Sequence, residues 1–229
     1  MTTRTDDPAE VLMQLAEARY SCRGYLPQAV PQATIERILT IAQRSPSWCN
    51  SQAWQLTVGS AAATERARGA LLAHLRQAPP RPDFDWPREY RGVYQQRRRE
   101  CGFQLYAAVG VARGDKEGAE RQRLENFRFF GAPHVAIVTS EEPLGTYGAI
   151  DCGAYVGMFM LAARACGVAS IAMASVAAYP DFWRQLWKLD PERKVVCGLA
   201  FGFEDPDHPA NAFRTTRAGL DQAVQWQPD

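Results

Sequence analysis

Arg19-Tyr20-Ser21-Cys22-Arg23 and, about two dozen residues later, Ser45-Pro46-Ser47-Trp48-Cys49-Asn50-Ser51-Gln52-Ala53-Trp54 are the most informative segments of this chain. The first segment places two guanidinium groups and a hydroxyl directly after a helical pattern. Such a cluster suits a phosphorylated or carbonyl-rich ligand. The second segment is a Pro/Ser/Asn turn that leads into an alternating strand pattern. Together they predict an anion-binding segment and a structured turn at the start of a strand.

Helical and strand patterns surround these two segments. The first helix begins at Asp7-Pro8, because an acidic residue caps a helix and a proline fits its first turn. Further helices are predicted at about 31–45, 61–77, 89–111, 116–130, 151–166 and 180–189, with one more in the tail at 213–226. Strands are predicted at about 54–58, 135–139, 168–174 and 194–203. The helix at 151–166 is apolar nearly all round, which predicts a buried central position.

The balance of elements favours one α+β domain over residues 1–229. Helices outnumber strands, and no G-x-G-x-x-G follows a strand, which argues against a doubly wound dinucleotide fold. We therefore expect a small mixed or antiparallel central sheet wrapped by helices. Residues 78–130 form a helical insert in this prediction. Its first ten residues hold four prolines, Phe84 and Trp86, which favours a packed loop or lid over a linker.

Composition narrows the function classes. The net charge is +1, from 26 basic and 25 acidic residues, so no overall field favours nucleic acid or an anionic membrane. The six cysteines form no C-x-x-C, and no His spacing completes a metal site. We expect reduced thiols in a cytoplasmic protein, since the first residues also lack the apolar core of a signal peptide. The stretch 154–173 is interrupted by Arg164 and two glycines and does not read as a membrane span.

The motif R-x-S-x-R at 19–23, followed by P-S-x-x-N-x-Q-x-W at 46–54, resembles the FMN-dependent nitroreductase family. Arg214 and Arg217 near the carboxyl end extend the resemblance over nearly the whole chain. The resemblance implies a nitroreductase-like fold. It also implies a homodimer with exchanged terminal segments and two equal flavin sites at the interface.

The resemblance assigns FMN contacts to several residues. Arg19 and Ser21, with Tyr20 between them, are implied to contact the phosphate and ribityl chain, and Arg217 with Arg214 to clamp the phosphate from the tail. Arg23 matches the basic residue near flavin N1 and O2, where positive charge stabilises the reduced ring. The remaining cofactor-binding residues implied by the resemblance are Pro46, Ser47, Asn50, Asn126, Ala172, Met173 and Ala174.

Two of these assignments carry an alternative. Asn126 either contacts the pyrimidine edge of the flavin or caps a helix end. Ala172-Met173 replaces a Pro-Gln pair that is frequent in related sequences, so the polar side chain is lost although backbone contacts can survive. Met173 could equally be a core residue.

The function implied by the resemblance is an FMN-dependent NAD(P)H oxidoreductase that reduces nitroaromatic or quinone-type acceptors by ping-pong hydride transfer. NADH or NADPH is the donor. No side chain is assigned as catalytic, because flavin N5 carries the chemistry. In the insert, Tyr90, Arg91, Tyr94 and Arg97 are candidate substrate contacts, and the arginines favour an acidic aromatic such as a nitrobenzoate.

Three alternatives remain open from the sequence. The same scaffold could support dehalogenation, flavin fragmentation or dehydrogenation. The altered Ala172-Met173 pair leaves room for a flavin-binding sensor or storage protein without turnover. A structural protein that binds no flavin is the third alternative.

Overall fold

Four β-strands and seven α-helices make up the part of the chain that the computed structural model describes, residues 7–228. The strands are β1 (Trp54–Val58), β2 (His134–Glu141), β3 (Ala169–Met173) and β4 (Arg193–Gly202). The helices are α1 (Pro8–Ala18), α2 (Gln32–Ala42), α3 (Ala61–His74), α4 (Gly92–Ala108), α5 (Lys116–Glu125), α6 (Gly145–Ala165) and α7 (Pro180–Trp187). The predicted α+β class is confirmed. The expected absence of a signal peptide concerns residues 1–6, which lie outside the described range.

The strands form one antiparallel sheet in the order β1-β2-β4-β3. Trp54 faces Ser140 across β1 and β2, and His134 faces Phe201 across β2 and β4. Successive β2 residues point to opposite faces, so Ile137 joins the core on one side and Val138 the core on the other. The sheet is therefore covered on both faces, as predicted for a small sheet wrapped by helices.

Helix α6 is the central helix and packs against α2 and the sheet. It begins at Gly145, six residues before the predicted start, and its inner side is buried at eight positions: Gly148, Asp151, Cys152, Tyr155, Val156, Phe159, Ala162 and Ala163. Its other side exposes Ile150, Gly153 and Ala154 in the single chain. The prediction of a buried helix therefore holds for the inner side only.

One predicted helix end and one predicted helix were wrong. Helix α5 ends at Glu125 instead of 130, because Phe129 and Phe130 adopt positive φ values of 56° and 53° that no right-handed helix allows. The tail contains no α-helix in the described range up to residue 228. Only a 3₁₀ turn at Leu220–Gln222 forms there, since the tail side chains are exposed and have no core to pack against.

The proline-rich segment 78–91 is irregular, as predicted, and is fastened to the body by Asp83. The Asp83 carboxylate accepts hydrogen bonds from the Val195 N–H at 2.7 Å and from Arg184 Nη2 at 2.7 Å. Helix α4, which follows, has no buried residue. Across residues 7–228, none of the helices is both long and apolar enough to cross a bilayer.

Candidate functional site

The segment 19–23 runs beside the edge strand β3. The Cys22 N–H donates to the Ser170 carbonyl at 3.2 Å, and Ser21 forms a parallel bridge with Ser170. Cys22 is fully buried. Because side chains alternate along an extended segment, Arg19, Ser21 and Arg23 lie on the face opposite Cys22. The local sequence thus presents two arginines and a hydroxyl together.

Asn211 joins this segment to the carboxyl-terminal segment. Its Oδ1 accepts from the Arg23 N–H at 2.8 Å, and its Nδ2 donates to the carbonyls of Gly24 and Asp205, each at 2.9 Å. Gly24 is needed there, since a Cβ at this position would lie 2.1 Å from Cγ of His208. Asn211 was not predicted as a site residue from the sequence, and its position just before the arginine-bearing tail was the available signal.

These contacts bring six of the predicted cofactor residues to one cavity of about 760 Å³. We call it the arginine pocket, and the six predicted residues in its wall are Arg19, Tyr20, Ser21, Arg23, Arg214 and Arg217. The rest of the wall comes from the end of α1, including the acidic residue Glu17, from Cys101 on α4, from Gly157, Met160 and Leu161 on α6, and from Phe213 and Thr215. The volume lies in the range of pockets that bind small molecules and cofactors.

The four arginines of the pocket have no carboxylate partner within 4 Å among the described residues. Arg217 Nη1 instead donates to Thr215 Oγ1 at 3.0 Å, and Arg214 Nη1 donates to the Asn211 carbonyl at 2.7 Å. The Arg214 guanidinium also stacks on the Tyr20 ring at 3.6 Å. Neutral groups thus orient the cations without neutralising them.

Burial and like charge act together on this cluster. Burial lowers the pKa of Arg19, and the nearby positive charge of Arg217 lowers it further. Burial also lowers the pKa of Arg23, whose Nη1 donates to the Ser21 carbonyl at 3.1 Å and whose guanidinium lies 5.9 Å from the Phe130 ring centre. An anion in the pocket would offset the repulsion between these cations.

The turn that contains Pro46, Ser47 and Asn50 lies elsewhere on the same chain. Its Trp48 N–H donates to the carboxylate of Asp151, in the amino-terminal half of α6. The first α6 residue in the wall of the arginine pocket is Gly157, six positions after Asp151, which is about 9 Å farther along the helix axis. The α6 residues in this wall also point in directions that differ from that of Asp151 by roughly 80–180° around the axis. Within one chain the turn does not line the arginine pocket.

The other predicted cofactor residues also lie outside the pocket wall. Asn126 directly follows the last residue of α5, and its Nδ2 donates to the Arg123 carbonyl at 3.1 Å. This is the geometry of a helix cap, the alternative to a flavin contact. Ala172 and Ala174 are exposed, whereas Met173 is buried in the core. Any contact that Met173 makes with a ligand would therefore use its backbone.

The candidate substrate residues lie directly before α4 or in its first two turns, and their side chains are exposed. Tyr90 and Tyr94 face solvent, with the Arg98 guanidinium 5.3 Å from the Tyr90 ring centre, and Arg91 forms an ion pair with Glu89. Arg97 lines a second cavity of about 800 Å³ between α4 and the tail, and its Nη2 donates to Gln222 Oε1 at 2.9 Å. This cavity shares Cys101, Thr215 and Arg217 with the arginine pocket. The structure thus brings Arg97 near the pocket, whereas Tyr90, Arg91 and Tyr94 line neither cavity.

Metal-binding clusters and reactive cysteines are the features that would mark a chemical centre outside the arginine pocket. No group of three His, Cys, Asp or Glu side chains within residues 7–228 is arranged to hold a metal ion. All six cysteines are free. Burial raises the pKa of Cys152 to about 11 and that of Cys197 to about 12, so both thiols remain protonated near neutral pH.

Comparison with known proteins gives consistent matches over nearly the full length. The sequence model of the nitroreductase family matches residues 16–203. Nitroreductase NfnB from Mycolicibacterium smegmatis is 35% identical over 229 residues, which cover 98% of this chain and 96% of that protein. A 4-nitrobenzoate reductase from Nocardioides is 30% identical over 227 residues, with coverage of 96% and 92%.

Solved structures match as closely. The crystal structure of FMN-dependent NfnB from Mycobacterium smegmatis in complex with NADPH superposes with a TM-score of 0.92 at 33% identity, covering 97% of this chain and all of that one. FMN- and NADPH-dependent NfnB from a Sphigopyxis strain has a TM-score of 0.91 at 31% identity, with coverage of 95% and 99%.

Proposed function

The chain belongs to the nitroreductase family, and on this premise we propose that it is an FMN-dependent NAD(P)H oxidoreductase that reduces nitroaromatic compounds. The observation that carries the proposal is the arginine pocket. Two arginines of the motif R-x-S-x-R and two arginines of the tail surround a cavity of cofactor size, and none of them has a carboxylate partner within 4 Å among the described residues.

The residues present fit FMN. A phosphate with two negative charges offsets the repulsion between Arg19 and Arg217, and the Ser21 and Thr215 hydroxyls supply neutral donors and acceptors for the ribityl chain. Arg23 lies deeper, where burial strengthens its field. Its permanent charge is suited to the N1–C2=O edge of a flavin, which becomes more negative on reduction.

When bound, FMN supplies the redox chemistry by accepting two electrons from the nicotinamide donor and passing them to the acceptor. The protein's own residues bind and orient. The Tyr20–Arg214 stack and the Asn211 hydrogen bonds hold the two arginine-bearing segments in register. No side chain is needed as a general acid, since the pocket is open to water that can supply protons.

NADPH is the donor that the relatives favour. Both NfnB structures are described with NADPH, and both share 31% or more identity with this chain. We therefore include NADPH as the first donor to test, with NADH as the comparison.

For the acceptor we propose a nitroaromatic with an acidic group. Two relatives are named 4-nitrobenzoate reductase. Arg97 lies in the cavity that adjoins the arginine pocket, and Arg91 lies at the start of α4. Residues 78–108 would then act as the lid over this acceptor, in accord with their low burial and with their fastening at Asp83.

We also propose a cytoplasmic homodimer with exchanged terminal segments. The six free cysteines support the location. Exposed large apolar side chains support the dimer, among them Ile150 on α6, which is 58% exposed, and Trp226 in the tail, which is 81% exposed. A second copy would also supply the Pro46–Asn50 turn that the chain's own pocket lacks. Light scattering should give twice the 25.5 kDa chain mass, and a one-chain mass would refute the dimer.

The direct test of the proposed activity is steady-state reduction of 4-nitrobenzoate by the FMN-loaded protein, with NADPH and NADH in turn. Product analysis separates nitroreduction from dehalogenation or dehydrogenation. Failure of the protein to bind FMN, or binding without turnover on a panel of nitroaromatics and quinones, would refute the proposal.

A further inference from the structure

The turn between Ser47 and Gln52 has an unfavourable backbone conformation. Cys49, Asn50 and Gln52 have φ values of 49°, 56° and 50°, and none of them is glycine. Asparagine adopts a left-handed conformation readily, whereas for cysteine and glutamine it is uncommon and persists only where the surroundings impose it. Cys49 and Gln52 therefore require a local restraint.

Asp151 supplies that restraint from α6. The Trp48 N–H donates to Oδ1 at 3.1 Å and to Oδ2 at 3.2 Å, and the Ser51 hydroxyl donates to Oδ2 at 3.2 Å. The Asp151 residue is only 7% exposed. No lysine, arginine or histidine of the described residues lies within 4 Å of its carboxylate. Among the described residues, the Trp48 N–H and the Ser51 hydroxyl are therefore the only hydrogen-bond partners of this buried carboxylate.

Other contacts hold the rest of the turn. Ser47 Oγ accepts from the Gln52 N–H at 2.9 Å, and Arg193 Nη2 donates to the Ala53 carbonyl at 2.8 Å. The Asp151 bonds bracket Cys49 and Asn50, the two consecutive left-handed residues. Hydrogen bonds with one charged group are stronger than those between neutral groups, and the bonds of Asp151 and Arg193 are both of this kind. Asp151 is therefore the charged side chain that restrains Cys49 and Asn50, whereas Arg193 acts beyond them, at Ala53.

The turn lies outside its own chain's arginine pocket and carries an exposed apolar side chain. Trp48 is 59% exposed and packs edge-on against Tyr147 of α6 at 4.4 Å, beside exposed Ile150. This exposed apolar group continues the outer side of α6, where a second copy would pack. The turn therefore lies on the surface that a dimer would bury.

We propose that Asp151 is a positioning residue that holds the Ser47–Gln52 turn in shape for the flavin site of the second copy. The proposal rests on the proposed function, since it requires FMN in the arginine pocket and a dimer. It assigns Asp151 a role in cofactor binding without contact with the cofactor.

The test begins with Asp151→Asn, which keeps the side-chain shape and removes the charge, and Ser51→Ala, which removes one bond. We expect the Kd for FMN to rise about tenfold in Asp151→Asn and less in Ser51→Ala, with a shift in the reduction potential of the bound flavin. Circular dichroism should match the wild type. Asp181→Asn is the control, because this exposed carboxylate on α7 pairs with Arg184, far from the turn in sequence.

Mixed dimers decide which site the turn serves. One subunit carries Arg19→Ala and the other carries Asp151→Asn. If the turn acts across the interface, one site holds both defects and the other holds neither, so about half of the sites bind FMN with wild-type affinity. If the turn acts within its own chain, both sites are weakened.

Each result has a distinct meaning. Wild-type FMN affinity and potential in Asp151→Asn would overturn the proposal, and so would mixed dimers with no wild-type site. A wild-type protein that binds no FMN would instead refute the proposed function.

Discussion

Arg19, Arg23, Arg214 and Arg217 share one cavity without a carboxylate partner among the described residues, whereas Arg184 pairs with Asp83 and Arg193 with Glu141. Arginines on a protein surface usually form such pairs, and each pair adds little stability. In this cluster, burial and the charge of Arg217 lower the pKa of Arg19, and this reduces the stability of the folded chain. A bound anion is the physical compensation that this cluster calls for.

Removing a phosphate-binding arginine should weaken cofactor binding. We expect Arg19→Ala and Arg217→Ala each to raise the Kd for FMN roughly 10- to 100-fold, since each loses a charge-assisted hydrogen bond. Fluorescence titration of FMN measures this. Arg121→Ala is the control, because Arg121 is an exposed α5 residue that pairs with Glu117. Equal affinities in all three variants would exclude the arginine pocket as the phosphate site.

Arg23 should act on the flavin potential more than on binding. In Arg23→Met the potential of the bound FMN should become about 30–60 mV more negative, because a buried positive charge that stabilises the reduced ring is lost. Arg23→Lys should retain most of the wild-type value. Anaerobic potentiometry measures both variants, and an unchanged potential in Arg23→Met would remove the assigned role.

The local motifs singled out residues that the fold brings together. The arginines of R-x-S-x-R and of the tail meet in one pocket, and their contacts with FMN remain a prediction. Asn211 and Asp151 were missed, because their partners lie 188 and 103 positions away. Such pairings depend on the fold and leave no short-range pattern.

At the scale of elements, the Asp83 carboxylate anchors segment 78–91, beside a backbone hydrogen bond from the Arg81 N–H to the Ala178 carbonyl at 2.8 Å. Asp83 joins it to α7 and β4, and the side chains of Asp83 and Arg184 are only 15% and 17% exposed. Asp83→Ala would leave the Arg184 charge and the Val195 N–H without this partner, so we expect a loss of about 3 kcal/mol in the free energy of unfolding.

Urea denaturation tests this prediction. The control is Asp85→Ala, which changes an exposed neighbour and should stay within about 0.5 kcal/mol of the wild type. A difference below about 1 kcal/mol between the two variants would show that Asp83 does not anchor the segment.

Helix α4 should discriminate between charged and neutral acceptors. We expect Arg91→Ala and Arg97→Ala to raise KM for 4-nitrobenzoate about fivefold, as for an exposed ion pair, and to leave KM for nitrobenzene unchanged. Gln222→Ala is the control for Arg97, since it removes their 2.9 Å hydrogen bond but keeps the charge. Equal KM changes for both acceptors would refute a role in charge recognition.

Helices and strands were predictable where their determinants are local. Asp7 caps α1 with a 2.9 Å hydrogen bond to the Ala9 N–H, as the Asp-Pro pair indicated. The end of α5 was missed because left-handed Phe129 and Phe130 are held by tertiary packing. A helix was predicted in the tail at 213–226, yet the side chains of this segment are exposed and have no surface of the single chain to pack against.

At the scale of the whole molecule, the single chain keeps two of the predicted cofactor-binding segments separate. The arginine pocket and the Ser47–Gln52 turn lie apart, and Trp48, Ile150 and Trp226 leave apolar area exposed. The dimer that we propose would cover these side chains and bring a turn to each pocket. Sequence alone could not reveal this separation, because it follows from where α6 places each residue.

An anaerobic absorbance titration of the FMN-loaded protein tests the central claim most directly. NADPH is added first and a nitroaromatic second, and the flavin band is followed throughout. We expect NADPH to bleach the band and the acceptor to restore it. A band that neither NADPH nor NADH bleaches, or no band even with added FMN, would contradict the proposed FMN-dependent reduction.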